Sequence, residues 1–197
     1  MKQKQVQLLF ARHTETDWNA EHRYSGASDK PVLTPSGEHQ AEQVARSILA
    51  YRPAALYCSD LRRSQQTAGI IGSIIELLPI VDIRLREACL GEADGLLRQE
   101  VERRFGAPEL STKHPQFDFR RIGGECRADV IRRHLEFLRD IIRLHGASSE
   151  PPPAVVIVGH GTSLCALSEH LGIGSKLAQG VHRPHVYTSG TIRIPLP

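Results

Sequence analysis

Apolar residues fall along this chain in two alternating rhythms. Short, nearly continuous apolar runs at 6–11, 55–58 and 154–158 predict strands buried on both faces. A weaker strand is expected near 80–82. Between these runs the spacing changes to that of helices. Thr34 and Pro35 read as an N-cap followed by proline at the first helical position, and behind them Ala41, Val44, Ala45, Ile48 and Leu49 share one face. A second helix is predicted over about 64–78. A third is predicted over 128–144, where Ile131, Leu135, Leu138, Ile141 and Ile142 form a stripe.

Strands alternating with helices predict an α/β fold, a three-layer α/β/α sandwich around a mostly parallel central sheet. Residues 96–127 break the rhythm. They are polar, charged and irregular after a short helix over 97–105, and read as a small, partly helical cap inserted over one sheet edge. Pro151-Pro152-Pro153 is a stiff connector rather than a domain linker. The expectation is one domain spanning 1–197.

Composition narrows the class of function. The chain has 197 residues, with 25 Lys and Arg against 22 Asp and Glu, a net charge of +3. So small an excess argues against a nucleic-acid partner. The longest apolar stretch, 70–81, is interrupted by Ser73 and Glu76, which argues against a membrane span. The polar start of the chain leads straight into a strand-like run, so no signal peptide is expected. Cys58, Cys89, Cys126 and Cys165 are widely spaced and predict neither a disulfide framework nor a metal knuckle. A cytoplasmic home is expected.

Ligands in open α/β sheets bind beyond the carboxyl ends of the strands. The first run is followed by Arg12-His13, the second by Ser59-Asp60-Leu61-Arg62-Arg63, the weak third by Arg86-Glu87, and the last by Gly159-His160-Gly161. Two imidazoles, several guanidiniums and a carboxylate thus converge on one edge. Guanidinium forks grip phosphate oxygens. An imidazole can take a phosphoryl group covalently, a second can donate to its equatorial oxygens, and a carboxyl can exchange protons with leaving group and water. Fixed cations supply the charge such chemistry needs, so neither metal nor cofactor is expected.

At these residues the chain resembles the phosphoglycerate-mutase-like branch of the histidine phosphatase superfamily. Arg12-His13-Thr14-Glu15-Thr16, then Trp18-Asn19, Arg23, Gly26, Asp29 and Leu33-Thr34-Pro35-Ser36-Gly37, is similar to that family's opening. Ser59 to Ala68 resembles its second motif, Leu85-Arg86-Glu87 with Gly91 and Gly95 its proton-donor segment, and 156–161 its second histidine motif. The resemblance implies a metal-independent phosphomonoester hydrolase with His13 as nucleophile and phosphohistidine carrier. It implies that Arg12, Arg63 and His160 hold the phosphoryl group and that Glu87 is general acid, then base. By the same carry-over Asn19, the backbone around Ser25 and Gly26, and Gly161 line the pocket.

The chain also departs from the family pattern. Thr14 replaces a usual glycine. Cys126 stands where Gly123-Gly124-Glu125 would be followed by serine, which bears on helix capping. Ala88-Cys89-Leu90 replaces the segment typical of true mutases, and the closing stretch from Thr188 follows the family poorly. Glu92 and Asp94 are rivals for the acid role.

Other features have plainer readings. Arg62 and the pair Arg120-Arg121 suit solvated surfaces, the latter pair alternatively reaching an anionic substrate from the cap. Gly172 to Lys176 reads as a helix end and turn, Trp18 as packing against the first helix, and the thiols as packing residues. His182 and His185 form a His-x-x-His with no partner carboxylate or cysteine nearby, so no metal is expected there. The expected substrate is a small phosphate ester, with a phosphoprotein as a second possibility, handled by a monomer or homodimer. A phosphoglycerate-type phosphomutase and a non-catalytic phosphate- or phosphopeptide-binding module are the alternatives.

Overall fold

The computed structural model describes residues 4–149, 151–172 and 186–188. Among them, five strands form one sheet: β1 (Gln7–Arg12), β2 (Ala55–Cys58), β3 (Pro79–Val81), β4 (Ala154–Gly159) and β5 (Val186–Thr188). The spatial order is β3-β2-β4-β1-β5. The first four strands are mutually parallel, and β5 runs antiparallel along β1. All six residues of β4 are buried, as its unbroken apolar run requires for a central strand covered on both faces.

The helices are α1 (Asp17–Ala20), α2 (Pro35–Ile48), α3 (Arg62–Ile75), α4 (Arg98–Phe105), α5 (Arg127–His145) and α6 (Gly161–His170). Strand alternation sorts the core into two layers. Leu9, Ala11, Leu56, Cys58, Val156 and Val158 face one side, against Val44, Ala45 and Ile48 of α2 and Ala68 and Ile71 of α3. Leu8, Phe10, Tyr57, Val155 and Ile157 face the other, against Phe137, Leu138 and Ile141 of α5 and Leu164 of α6. This is the expected three-layer α/β/α sandwich.

Element boundaries shift from expectation at identifiable points. Thr34 caps α2 as predicted, its Oγ1 accepting from Gly37 N at 3.0 Å. α3 stops at Ile75 rather than 78, because Glu76 turns into the left-handed region at φ 60° and Leu77 N bonds back to Gly72 O. Cys126 serves as the N-cap of α5, with Asp129 reaching back to accept from its N–H at 3.2 Å.

The stretch 96–127 is less polar in its packing than its sequence suggests. Val101, Leu110, Phe117, Phe119 and Ile122 are buried in a third core with Ala88, Leu90, Val130 and Ala166. Trp18 lies across Gly95, where an added Cβ would lie 3.2 Å from its ring.

Candidate active site

The parallel register assembles the site. Arg12 pairs with Gly159, and Cys58 with Val158, so His13, Ser59 and His160 emerge side by side where the three central strands end. His13 N extends the ladder to Gly159 O at 2.8 Å. The rings of His13 and His160 lie 5.2 Å apart, tilted by 55°.

Both rings are almost fully buried. His13 Nδ1 lies 2.8 Å from Thr14 O. A carbonyl oxygen only accepts, so Nδ1 carries the hydrogen and the lone pair is on Nε2. Burial, with Arg63 and Arg12 close by, holds His13 well below the ordinary imidazole value. It is therefore neutral and nucleophilic at Nε2 near neutral pH. His160 is lowered likewise, by burial first and then by Arg63, His13 and Arg12. Its Nε2 contacts Ser59 Oγ at 2.6 Å, and its Nδ1 is buried without a partner among the described residues. Thr14, at the position of the usual glycine, is tied to α3: its N–H donates to Thr67 Oγ1 at 3.2 Å.

Arg63 is a guanidinium with no solvent exposure. Its Nη1 and Nη2 donate to Ser28 O and Gly26 O, each at 2.7 Å, while Nε has no partner among the described residues. Burial lowers it to about 10, with nearby Glu87 opposing that shift. It remains a cation at neutral pH. Arg12 stands at the exposed end of β1, and a Cβ added at Gly161 would lie 3.3 Å from its Nε. Glycine at 161 thus admits this guanidinium against the start of α6.

Glu87 is brought in by the segment after β3. Its Oε1 accepts from Ala88 N and Ser163 N, both at 2.9 Å, and its Oε2 from Thr162 N at 3.0 Å. The carboxylate thus caps α6, for which His160 offers no side-chain cap. The rivals separate cleanly. Glu92 is exposed and pairs with Arg104, whereas Asp94 is half-buried beside the Gly26 loop. Asp94 Oδ2 accepts from Ala27 N at 3.2 Å, and burial pushes its carboxyl up to about 7.

The remaining expected residues fall at the rim or elsewhere. Asn19 Oδ1 is taken by the cap of α1, accepting from Thr16 N at 3.2 Å. That leaves its amide nitrogen as the group able to meet a ligand. Ser25 Oγ is buried without a partner among the described residues, and Gly26 adopts φ 38° with its carbonyl on Arg63. Arg120 pairs with Asp118 and Arg121 with Glu109. His182 and His185 lie outside the described residues, as does most of the stretch from Gly172 to Lys176. Among the described residues no three His, Cys, Asp or Glu are grouped to hold a metal ion, and no helix is long and apolar enough to cross a membrane.

Sequence reasoning gave no role to Arg133 or Glu125. Arg133 donates to the carbonyls of Arg84, Arg86 and Glu87 and to both carboxylate oxygens of Glu125, at 2.6–3.1 Å. Glu125 in turn accepts from Cys89 N at 2.9 Å. This clamp fixes the strand-end segment that carries Glu87. No local pattern announces it, because Arg133 lies 46 residues from Glu87 along the chain.

Comparison with known proteins identifies the family. Residues 8–193 match the model of the histidine phosphatase superfamily, branch 1. A glucosyl-3-phosphoglycerate phosphatase of Mycobacterium tuberculosis is 33% identical over 172 residues, covering 83% of this chain and 74% of that protein. A probable phosphoglycerate mutase, GpmB, of an Enterobacter species is 35% identical over 174 residues, covering 85% and 76%. Among solved structures, a mycobacterial glucosyl-3-phosphoglycerate phosphatase in complex with VO3 superposes with a TM-score of 0.76 at 31% identity, covering 86% and 83% of the two chains. YhfR of Bacillus stearothermophilus gives 0.73 at 28% identity over 94% and 96%. With its four strand-end motifs gathered at one sheet edge and its sequence matched almost end to end, the chain belongs to the histidine phosphatase superfamily, branch 1.

Proposed function

We propose that this protein, a phosphatase by its family, hydrolyses a small phosphate monoester through a phosphohistidine on His13. One observation carries the reading. Among the described residues, Arg63 Nε, His160 Nδ1 and Ser25 Oγ are buried polar atoms without partners, and the first two belong to residues grouped around His13. Leaving a buried donor unmatched costs about 1–3 kcal/mol, and a tetrahedral anion would satisfy several at once.

The steps follow from the atoms. His13 Nε2 attacks phosphorus, the N–P bond forms, and the ester P–O bond breaks with its electron pair on the departing alcohol oxygen. Glu87 Oε1 already accepts two N–H groups and Oε2 only one, so Oε2 is the oxygen able to carry a proton to that leaving group. Water then attacks the phosphohistidine and gives its proton to Glu87. The N–P pair returns to Nε2, and inorganic phosphate departs. Arg12 and Arg63 neutralise the equatorial oxygens, and His160 donates a hydrogen bond to orient them.

The relative named a glucosyl-3-phosphoglycerate phosphatase makes a phosphorylated organic acid or its glycoside the first substrate to try. The relatives named probable phosphoglycerate mutases keep phosphoryl return to a second hydroxyl as the second reading. Against it, Ala88 and Leu90, which replace the mutase pattern after Glu87, are buried in the third core and offer no group to a second phosphate. In this reading 96–127 is the cap that selects the alcohol, and the four unpaired thiols suit a reducing cytoplasm.

The test is p-nitrophenyl phosphate hydrolysis in excess EDTA by wild type and His13→Ala, with alkaline trapping of label from a 32P-labelled substrate. Metal-independent turnover, label on His13, and a loss of about a thousandfold or more in the variant are expected. Activity surviving in His13→Ala would remove His13 as nucleophile. An inert wild type that still binds phosphate would favour the mutase or the binding module.

A further inference from the structure

His160 can help the phosphoryl group only if the nitrogen facing it carries a hydrogen. Because burial and the neighbouring cations keep this ring neutral, it has one N–H, and its tautomer decides whether Nδ1 attracts or repels an anion. The family likeness assigns His160 to the site but says nothing of what sets that choice.

We propose that Ser59 is the positioning residue that fixes His160 in its Nδ1–H tautomer, aiming a hydrogen-bond donor at the transferring phosphoryl group; this rests on the phosphohistidine reading above. Ser59 is fully buried at the end of β2, and its Oγ lies 2.6 Å from His160 Nε2. The same Oγ accepts from Leu61 N at 3.3 Å. The neighbouring hydroxyl of Ser64 donates to Val158 O at 2.9 Å and accepts from Ser59 N at 3.2 Å, so it serves the Ser59 backbone, not its hydroxyl.

The hydrogen count then closes in one way. A backbone N–H only donates, so Leu61 cannot receive the Ser59 hydroxyl hydrogen. Among the described residues that meet Ser59 Oγ, His160 Nε2 is the acceptor. Ser59 donates, Nε2 accepts, and the ring hydrogen sits on Nδ1. That nitrogen is buried and unpartnered among the described residues, as a donor waiting for an anionic oxygen would be. The opposite tautomer would strand the buried hydroxyl hydrogen and turn a lone pair toward the phosphoryl oxygens.

The test uses the full chain labelled with 15N-histidine. Couplings from the ring carbon-bound protons identify the protonated nitrogen, and His160→Gln identifies the His160 signals by their loss. In wild type, Nδ1 is expected to be protonated and Nε2 to be an acceptor. In Ser59→Ala the ring is expected to populate both tautomers, with kcat falling about 10- to 100-fold and KM moving by less than roughly threefold, because the lost donor acts mainly in the transition state. Ser59→Thr, which keeps a hydroxyl, should restore the Nδ1–H signature and most of kcat. An Nε2–H ring in wild type, or Ser59→Ala with wild-type kcat and an unchanged ring, would overturn the proposal. The wild-type spectrum decides the tautomer even if neither variant folds. Failure to trap phosphohistidine on His13 would sink the parent mechanism while leaving the tautomer measurement readable.

Discussion

Glu87 and Ser163 meet at the N-terminus of α6, where the carboxylate Oε1 accepts from the Ser163 backbone N–H at 2.9 Å. The two residues are 76 positions apart in sequence, yet the contact joins the carboxylate proposed to exchange protons to the helix that begins just after His160. The same carboxylate is both a cap and the proposed acid, and the two roles make separable predictions.

Glu87→Gln keeps a carbonyl-type acceptor for the helix but cannot exchange a proton. A nitrophenolate leaves without help, whereas an alkoxide does not. We expect kcat/KM for an alkyl phosphate such as β-glycerol phosphate to fall about 100- to 1,000-fold, and for p-nitrophenyl phosphate less than about tenfold. Equal losses on both substrates would show that Glu87 acts as a cap alone. Thermal unfolding of Glu87→Ala should also register the lost cap, at about 1 kcal/mol.

Gly26→Ala should be among the most damaging single changes near the site. At φ 38° its new Cβ would collide with Asp94 Oδ1, and the carbonyl that holds Arg63 belongs to this residue. We expect loss of inorganic phosphate binding, read by calorimetry, with a stability loss of about 1–3 kcal/mol in urea. Asp94→Asn makes the complementary test. In wild type this carboxyl ionises at about 7 beside Arg63, so inhibition by sulfate, a dianion across the whole range, should weaken as pH rises from 6 to 8. The asparagine keeps an acceptor for Ala27 N and should flatten that dependence.

His134 predicts acid sensitivity of the fold itself. It is fully buried on α5, its Nδ1 donating to Val130 O at 2.9 Å, and burial with Arg133 beside it lowers it to about 3. The unfolded chain takes up a proton at this residue near the usual value of about 6.5. Between those two values the unfolded state binds more protons, so the contribution of His134 to stability is complete above about 6.5 and is lost as pH falls toward 3. Urea unfolding at pH 7.5, 6 and 5 should show falling stability. His134→Gln should reduce the slope in that window by up to about 1.4 kcal/mol per pH unit, one proton's worth. An unchanged slope would mean that the ring charges in the folded state.

What the sequence made legible is what local rhythm encodes. β4 could be read because six consecutive buried positions leave no other place for such a run, and His160 could be read because it follows that run directly. α3 was overrun by three residues because Leu77 and Leu78 prolong an apolar pattern whose backbone has already turned at Glu76. The core beneath 96–127 was missed because Phe117 and Phe119 pack from irregular backbone with neither helical nor strand periodicity. Asp94 could be noticed but not placed: its partner Ala27 is 67 residues away. Contacts of that span leave no periodic trace.

Arg133 is the strongest instance of such a long-range contact, and it makes the last prediction. Its five donations join α5 to the carbonyls of Arg84, Arg86 and Glu87 and to Glu125, all in a partly buried setting. A planar fork suits this set, and a lysine ammonium cannot span both the carboxylate and three carbonyls. Arg133→Lys should therefore keep the charge but loosen the Glu87 segment. Arg133→Met should leave Glu125 unpaired and lower stability by about 2–4 kcal/mol. If the clamp acts through Glu87, the lysine variant will lose more kcat/KM on the alkyl phosphate than on p-nitrophenyl phosphate, the same signature as Glu87→Gln at smaller amplitude. Combining Arg133→Lys with Glu87→Gln should then add little to the Glu87→Gln loss, since a misplaced group that no longer exchanges protons has nothing further to lose. Full additivity on the alkyl phosphate would assign Arg133 a separate route to the chemistry, such as the electrostatic pressure it exerts on His160.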